Sequence, residues 1–576
     1  MMAAADCENY AEPCLLKLSV KKGCLHVAAW NQQARDKEEG GSIDVGVIYR
    51  RLCSNYTERL LEEFSEIFDQ DELSVFSGYG IDARSVECDL LKGVYNRVAF
   101  DYLLAEEVVK QVRSLGLYYR RVSVNELEGV YGLKSSLLLK YLSPGQPGKI
   151  TDSFSRLARK AGFMATACSA LLVAAVVSVY TVILSMYRGE KVDLDDATGQ
   201  LFLLHSDMGN RVSHLLPELT SKNDCMRAIC LLGAGISKPV PVPIDDVNVC
   251  VIRPWCRKKI LQSVWVVIRA WPLYSRLLQR IAEKFKYQPV FFPLLVHSAM
   301  CLVRGQLHKS WVENSLHCTL PRPVVLGWSG WSDVTEFDLA LQHRGVETVH
   351  FLHGLVGDPI GYWGVSSKCI CKTQADVALL LATRTGYYGE IAAAPCKQPA
   401  GDLVVAVNSR SDDTVLVITN LIHPANYRYK GIAEGRELNL LEIVASSCAP
   451  DCALIWRPHP GERNNVSAFA RVAAVAERLG FKQDCESALP EQLQHAGIVV
   501  SMFSSVLSDI IMSGKVPYVY AGIPYEETPG WNGINDELKF SSRDELSAML
   551  EAGMYQSLAD KYFPGLYDLF CYSNTV

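Results

Sequence analysis

At 576 residues the chain is longer than one hydrophobic core sustains, so it must divide into several units. With 49% hydrophobic and 21% charged residues and no long polar low-complexity stretch, it is neither a disordered chain nor a polytopic membrane protein. The net charge of −6 arises from 57 basic and 63 acidic residues, well interspersed, which excludes the basic footprint of a general nucleic-acid binder.

The nineteen cysteines are scattered through apolar segments (Cys225, Cys230, Cys448, Cys452) in a long chain, which suits a reducing cytosol better than a disulfide framework. Cys369 and Cys371 have one intervening residue and no second Cys/His pair at zinc-ligand spacing, so no metal site is expected. Asp6, Glu8, Lys17, Lys21 and Lys22 interrupt the first forty residues, and no cleaved leader is expected there.

In chain order, residues 1–155 read as a mixed, helix-rich region with amphipathic stretches at 57–68 and 95–115 and no catalytic motif. Glu38-Glu39-Gly40 reads as a solvated acidic loop, and the turn-rich stretch 142–148 marks a boundary. Residues 156–191 hold an apolar, membrane-associated helix. Positions 161–187 are 27 consecutive uncharged residues, bracketed by Arg156, Arg159 and Lys160 before and Arg188 and Lys191 after. At about 1.5 Å per residue this run exceeds the ~30 Å hydrocarbon core. Spanning, monotopic insertion and burial in an α/β core all remain open, because basic residues on both flanks leave the orientation undecided.

From about residue 192 short apolar strands alternate with helical patterns, the rhythm of doubly wound α/β domains. Strands are predicted at 200–204, 324–328, 348–352, 415–419, 453–456, 498–501 and 516–520. The loose stretch 392–413 separates a first Rossmann-like lobe, 192–395, on the acceptor side, from a second, 410–576, on the donor side. In such sheets ligands bind beyond the carboxyl ends of the strands, which is where polar residues carry weight.

Three runs meet that condition. After 453–456 comes Arg457-Pro458-His459-Pro460-Gly461-Glu462, a stiff loop whose guanidinium and imidazole suit phosphate oxygens; the alternative is a structural turn with Arg457 paired to Glu462. After 498–501 come Ser504 and Ser505 at the start of a helical pattern, an anion site or a bare N-cap, with Asp509 one turn on as a brace. After 348–352 come His353, Gly354 and Asp358, where the histidine or the aspartate serves as base on an acceptor hydroxyl, unless His353 is a core histidine. Weaker features are Leu231 to Lys238, which lacks phosphate-loop spacing, His423-Pro424, and Glu526 with Glu527, which either meet a ribose or form an exposed turn.

Together, H-G-x-x-x-D (His353, Gly354, Asp358), R-P-H-P (Arg457 to Pro460) and S-x-x-S-S-x-x-x-D-x-x-x-x-x-K-x-P (Ser501 to Pro517) resemble bacterial GT-B glycosyltransferases of the capsule and surface-polysaccharide type. Sialyl- and Kdo-transferases share the His-Pro and Ser-Ser motifs, and CDP-glycerol glycerophosphotransferases share R-P-H-P. The resemblance covers roughly residues 195–540. It implies a metal-independent enzyme without cofactor whose nucleotide-sugar phosphate is contacted by His459, Ser504 and Ser505, and by Arg457 through adjacency. The acidic D/E-D/E-G base motif of the sialyltransferases is matched by Glu38-Glu39-Gly40 alone, far from the first lobe, whereas His353-Gly354 matches the glycerophosphotransferase pattern. The implied partners are a nucleotide sugar, CMP-linked in the first instance, a glycan or lipid-linked acceptor and a membrane, on its cytoplasmic side. A glycerophosphotransferase, a nucleotide-sugar epimerase and a non-enzymatic membrane-associated scaffold are the competing readings.

Overall fold

The structure, a computed structural model, describes residues 14–21, 24–31, 37–68, 70–115, 121–124, 138, 142, 152–186, 201–203, 226–229, 249–252, 259–284, 291–315, 323–326, 332–352, 359–383, 386–393, 414–422, 432–485, 487–504, 506–523, 529–551 and 554–570.

The chain opens with a sheet. Strands β1 (Cys14–Lys21), β2 (Cys24–Asn31), β3 (Lys37–Asp44) and β4 (Arg121–Val124) lie in the order β3-β2-β1-β4, with β1 antiparallel to β2 and parallel to β4. Glu38 and Glu39, expected in a solvated loop, instead pair with Ala29 and Ala28 on the edge strand β3. An edge strand tolerates charge because its outer row of backbone groups faces water. Helix α1 (Val45–Ile67) begins where the Asp44 carboxylate accepts the Val47 N–H at 3.1 Å, and α2 (Asn96–Ser114) packs against it. These two helices absorb both amphipathic stretches.

Three long helices follow. The apolar helix α3 (Asp152–Met186) packs on α4 (Ile260–Lys284) and α5 (Phe291–Ser315). Its buried stripe is Ala167, Ala170 and Ala174, small side chains that permit close approach, and Trp271 Nε1 of α4 donates to the Ala167 carbonyl at 3.0 Å. Over Gly162–Tyr180 the mean hydropathy is 2.1, yet 22% of that window is buried, so most of it is not sealed in the interior.

Two parallel sheets carry the rest. The first orders its strands β11 (Glu390–Ala393), β10 (Lys368–Cys371), β9 (Thr348–Phe351), β8 (Val324–Leu326), β5 (Leu201–Leu203), β6 (Met226–Ile229), β7 (Val249–Ile252). Helices α6 (Ser332–His343) and α7 (Gln374–Ala382) follow β8 and β10. Cys369 and Cys371 are buried on one face of β10 as core residues. The second sheet runs β14 (Lys482–Gln483), β13 (Ala453–Pro458), β12 (Thr414–Thr419), β15 (Ile498–Ser501), β16 (Tyr518–Tyr520), β17 (Lys539–Phe540), with helices α8 (Ala433–Ser447), α9 (Val466–Arg478), α10 (Leu489–His495), α11 (Val506–Met512), α12 (Arg543–Leu550) and α13 (Met554–Phe570). In each sheet the first strand lies inside, the next two build outward on one side and the remainder on the other. This is the doubly wound Rossmann order, and it places a topological switch point between β5 and β8 and another between β12 and β15. The fold is thus mixed α/β, with two Rossmann-like lobes, a helix-rich amino-terminal region and one long apolar helix.

One hydrophobic cluster runs from Leu18 through α1, α2, α3, α4 and α5 to Ile360 and Trp363, so the amino-terminal segment and the first lobe share a core. Polar latches reinforce the seam: the Asp82 N–H donates to Glu336 of α6 at 2.8 Å, Lys309 lies 3.6 Å from the same carboxylate, and Tyr387 donates to Glu87. Burial pushes the Glu336 carboxyl up to about 7, with the Lys309 ammonium opposing that rise. A second cluster, Val415 to Leu566, belongs to the second lobe.

Candidate functional site

Three loops leave the carboxyl ends of β12, β13 and β15. Thr419 of β12 is abreast of Pro458 of β13, while Ile418 is abreast of Ser501 of β15. The R-P-H-P and Ser-Ser loops therefore leave strands that flank β12 on either side. They are not adjacent strands, as a direct convergence of the two loops requires; β12 separates them, by about 10 Å between strand axes.

His459 is held firmly. Its backbone N–H donates to the Thr419 carbonyl at 2.9 Å and to Glu462 Oε2 at 3.0 Å, and its Nδ1 accepts the Gly461 N–H at 3.0 Å. It is the cap of the short helical turn Pro460–Asn464, in a reciprocal capping box with Glu462. Because Nδ1 is an acceptor, the neutral ring carries its proton on Nε2, the tautomer that offers a donor.

Arg457 does not join it. Its Nη1 donates to the Ser487 carbonyl at 2.7 Å, in the loop after β14, and to Gln492 Oε1 at 2.5 Å, on α10. The structural-turn alternative does not match that geometry, because the partners of the guanidinium are Ser487 and Gln492 and not Glu462. Burial lowers its pKa.

Ser504 sits one turn past β15, half-buried, with its Oγ 3.4 Å from the Val506 N–H and its carbonyl accepting from Leu507 N at 3.1 Å. These contacts make a serine turn leading into α11, whose cap position, Ser505, lies outside the described residues. Asp509, the expected brace, is exposed on α11, and its carboxylate hydrogen-bonds no other described residue, neither Ser504 nor Lys515. Lys515 of the same motif precedes β16 and so lies at the amino ends of the strands, opposite the switch point; Gly514, with φ of 77°, makes the turn between α11 and that lysine. Ser505, Glu526 and His423 lie outside the described residues, as do His353, Gly354 and Asp358 of the first lobe. His350, three residues before His353, is a core histidine whose Nδ1 lies 2.8 Å from the Tyr388 hydroxyl.

Underneath the loops lies a feature the sequence analysis missed. Glu437 of α8 and Glu462 are both buried, and Thr419 Oγ1 lies 2.8 Å from Glu437 Oε1 and 3.2 Å from Glu462 Oε2 while accepting from Trp456 Nε1 at 3.0 Å. Glu462 Oε1 accepts the Ile422 N–H at 3.2 Å, so this single carboxyl ties the loop after β12 to the loop after β13. Burial first, and for Glu462 then the neighbouring Glu437, raises both carboxyls, and the pair keeps a proton at neutral pH. Glu437 Oε2 is buried without a hydrogen-bond partner among the described residues, and a proton on this oxygen would need to be satisfied by the neighbouring Glu462 carboxyl. The sequence signal was Glu462 itself, visible in R-P-H-P-G-E; Glu437 lies inside a helical pattern and offers none.

No protein-family profile and no curated protein matches the sequence. Two solved structures that it resembles are a glycosyltransferase from Rickettsia africae ESF-5, 10% identical, covering 65% of this chain and 94% of that one at a TM-score of 0.35, and the UDP-GlcNAc 2-epimerase from Neisseria meningitidis bound to UDP-GlcNAc, 11% identical with the same coverages at 0.33. Likeness at this level assigns neither substrate nor activity.

Proposed function

We propose that the chain is a glycosyltransferase of the two-lobed GT-B type, moving a sugar from a nucleotide-activated donor, CMP-linked in the first instance, to a surface-glycan or lipid-linked acceptor on the cytoplasmic side of a membrane. The observation that carries this reading is the carboxyl end of β12, flanked by His459 and Ser504 in a sheet of Rossmann order. Ligands of open α/β sheets seat at this switch point. The resemblance of the surrounding motifs to surface-polysaccharide transferases supports the reaction class.

In this reading the donor's phosphate lies across the end of β12. His459 supplies an Nε2–H to it, and Ser504 with Ser505 supplies hydroxyl and backbone donors. As the bond from the sugar to phosphate breaks, negative charge grows on the leaving oxygen, and donors fixed beforehand stabilise it more than they stabilise the ground state. The base is His353 or Asp358, taking the proton of the acceptor hydroxyl. Arg457 acts through position, holding α10 and the loop after β14.

The reading is tested by melting the purified chain with CMP, CDP, UDP or GDP, because a ligand that binds the native state alone raises the melting temperature. A rise with CMP supports a CMP-sugar donor, CDP supports glycerophosphate transfer, and a rise that His459→Ala abolishes places the ligand at β12. No rise with any of the four overturns the reading in favour of a scaffold.

A further inference from the structure

Helices α3 and α4 pack antiparallel. Trp271 Nε1 meets the Ala167 carbonyl at 3.0 Å and the Ser275 hydroxyl lies 3.8 Å from Met164 sulfur, so higher numbers on α4 meet lower numbers on α3. That register puts the carboxyl half of α3 beside the first turns of α4. Both present an apolar stripe outward there. On α3 it includes Leu172, 67% exposed, and Val176, 60% exposed, repeating every four residues; on α4 it includes Leu261, 84% exposed, and Trp265, 59% exposed. Large apolar side chains exposed at helical spacing on two neighbouring helices form a patch, and patches, unlike scattered residues, mark a surface that is covered in use.

The charge pattern identifies what covers it. Arg257, Lys258 and Lys259 immediately precede α4, with Arg253 and Trp255 just before them. From residue 162 to 186 no side chain is charged, and from 260 to 275 Arg269 alone is. Apolar residues with tryptophan beside a run of cations, without an acidic residue between, are the composition of a helix lying at an anionic lipid surface. A second copy of the chain fits less well, because face-to-face pairing would bring two such cationic runs together.

We propose that α3 and α4 together form a membrane-docking face that lies in the plane of an anionic lipid surface, with Leu172, Val176, Leu261 and Trp265 entering the boundary between headgroups and acyl chains and the cationic run of the sequence that ends at Lys259 drawn to lipid phosphates. The packing opposes the alternative, a spanning α3. Its inner stripe is fixed along α4 and α5, so crossing the bilayer would carry those helices along, including the exposed Arg269, Arg276 and Glu283 of α4. Charged side chains in hydrocarbon are costly unless they line water or pair with one another. The docking face stands whether or not the donor reading of β12 holds.

The test is co-sedimentation of the full chain with vesicles of phosphatidylcholine alone and of phosphatidylcholine mixed with phosphatidylglycerol. Binding to the mixed vesicles, weakened by salt and released by an alkaline carbonate wash, is the expected result. Leu172→Glu/Trp265→Glu, at exposed positions that leave the melting transition in place, should lower binding by tenfold or more. Lys258→Ala/Lys259→Ala should lower it about fivefold for each charge removed, on the mixed vesicles alone. Absence of binding, retention through the carbonate wash, or a dimer in lipid-free solution that Leu172→Glu/Trp265→Glu dissolves would each overturn the proposal.

Discussion

At the scale of single residues, His459 and Thr419 do separate tasks at the end of β12. His459 is cap and donor together, so its substitutions separate the two. His459→Asn keeps a side-chain acceptor for the Gly461 N–H and should cost little stability, whereas His459→Ala should lose about 1 kcal/mol, seen by urea denaturation. Each removes the Nε2 donor, and each should weaken nucleotide binding about tenfold or more if that hydrogen bond to phosphate is of the charge-assisted kind. Thr419 joins Trp456, Glu437 and Glu462. Thr419→Val preserves shape but leaves buried partners unsatisfied, so a loss of about 2 to 4 kcal/mol is expected by the same measurement.

The two buried glutamates give a pH dependence whose sign is fixed by the direction of their shift. A folded-state pKa raised above the unfolded value means that the native chain holds a proton the unfolded chain releases. The stability so contributed is complete below the ordinary glutamate value of about 4.3 and is lost as pH rises through the raised value, with a slope of at most about 1.4 kcal/mol per pH unit for one proton. Glu437→Gln retains an N–H donor toward Glu462 and no longer needs the proton. Compared with the native chain by denaturation from acid to mildly alkaline pH, it should show a flatter profile, and equal slopes would show that no proton is shared.

At the scale of elements, the sequence was most legible where strands are short continuous apolar runs. The stretch 498–501 is seen unchanged as β15, and 324–328, 348–352, 415–419 and 453–456 are recovered within two residues as β8, β9, β12 and β13. Such strands are buried on both faces, so hydrophobicity alone marks them. What escaped was of another character. β10 reads Lys-Cys-Ile-Cys, with Lys368 at its start; β14 and β17 are two-residue edge strands; the strands of the amino-terminal sheet lie in a stretch that reads as helix-rich. The candidate site divides in the same way. Histidine and serine after strands are visible in order, but the direction in which Arg457 turns is decided by Ser487 and Gln492, thirty and more residues away. A motif records which residues are adjacent in the chain, and a guanidinium on a long flexible stem answers to what packs beside it.

At the scale of the whole molecule, the two halves differ in autonomy. The second lobe's cluster draws on residues from Val415 to Leu566, and its sheet is complete without strands from elsewhere. A fragment comprising residues 410–576 should therefore unfold cooperatively by itself, with a single denaturant transition. The first lobe stands otherwise, because Tyr49, Tyr56, Phe100 and Leu104 of the amino-terminal helices belong to the same core as Tyr274, Leu278 and Leu302. Glu336 of α6 gains its backbone donor from Asp82, so deleting the region before 150 would strip apolar cover from α4 and α5 and also orphan a buried carboxyl. At about 25 cal/mol for each Å² of apolar surface uncovered, losing several buried aromatic side chains outweighs the few kcal/mol by which a domain is stable. A fragment of residues 192–409 should accordingly be insoluble or molten, lacking near-ultraviolet circular dichroism, while residues 1–409 fold. A well-folded 192–409 fragment would mean that the shared cluster is a docking interface between separate domains and not a common core.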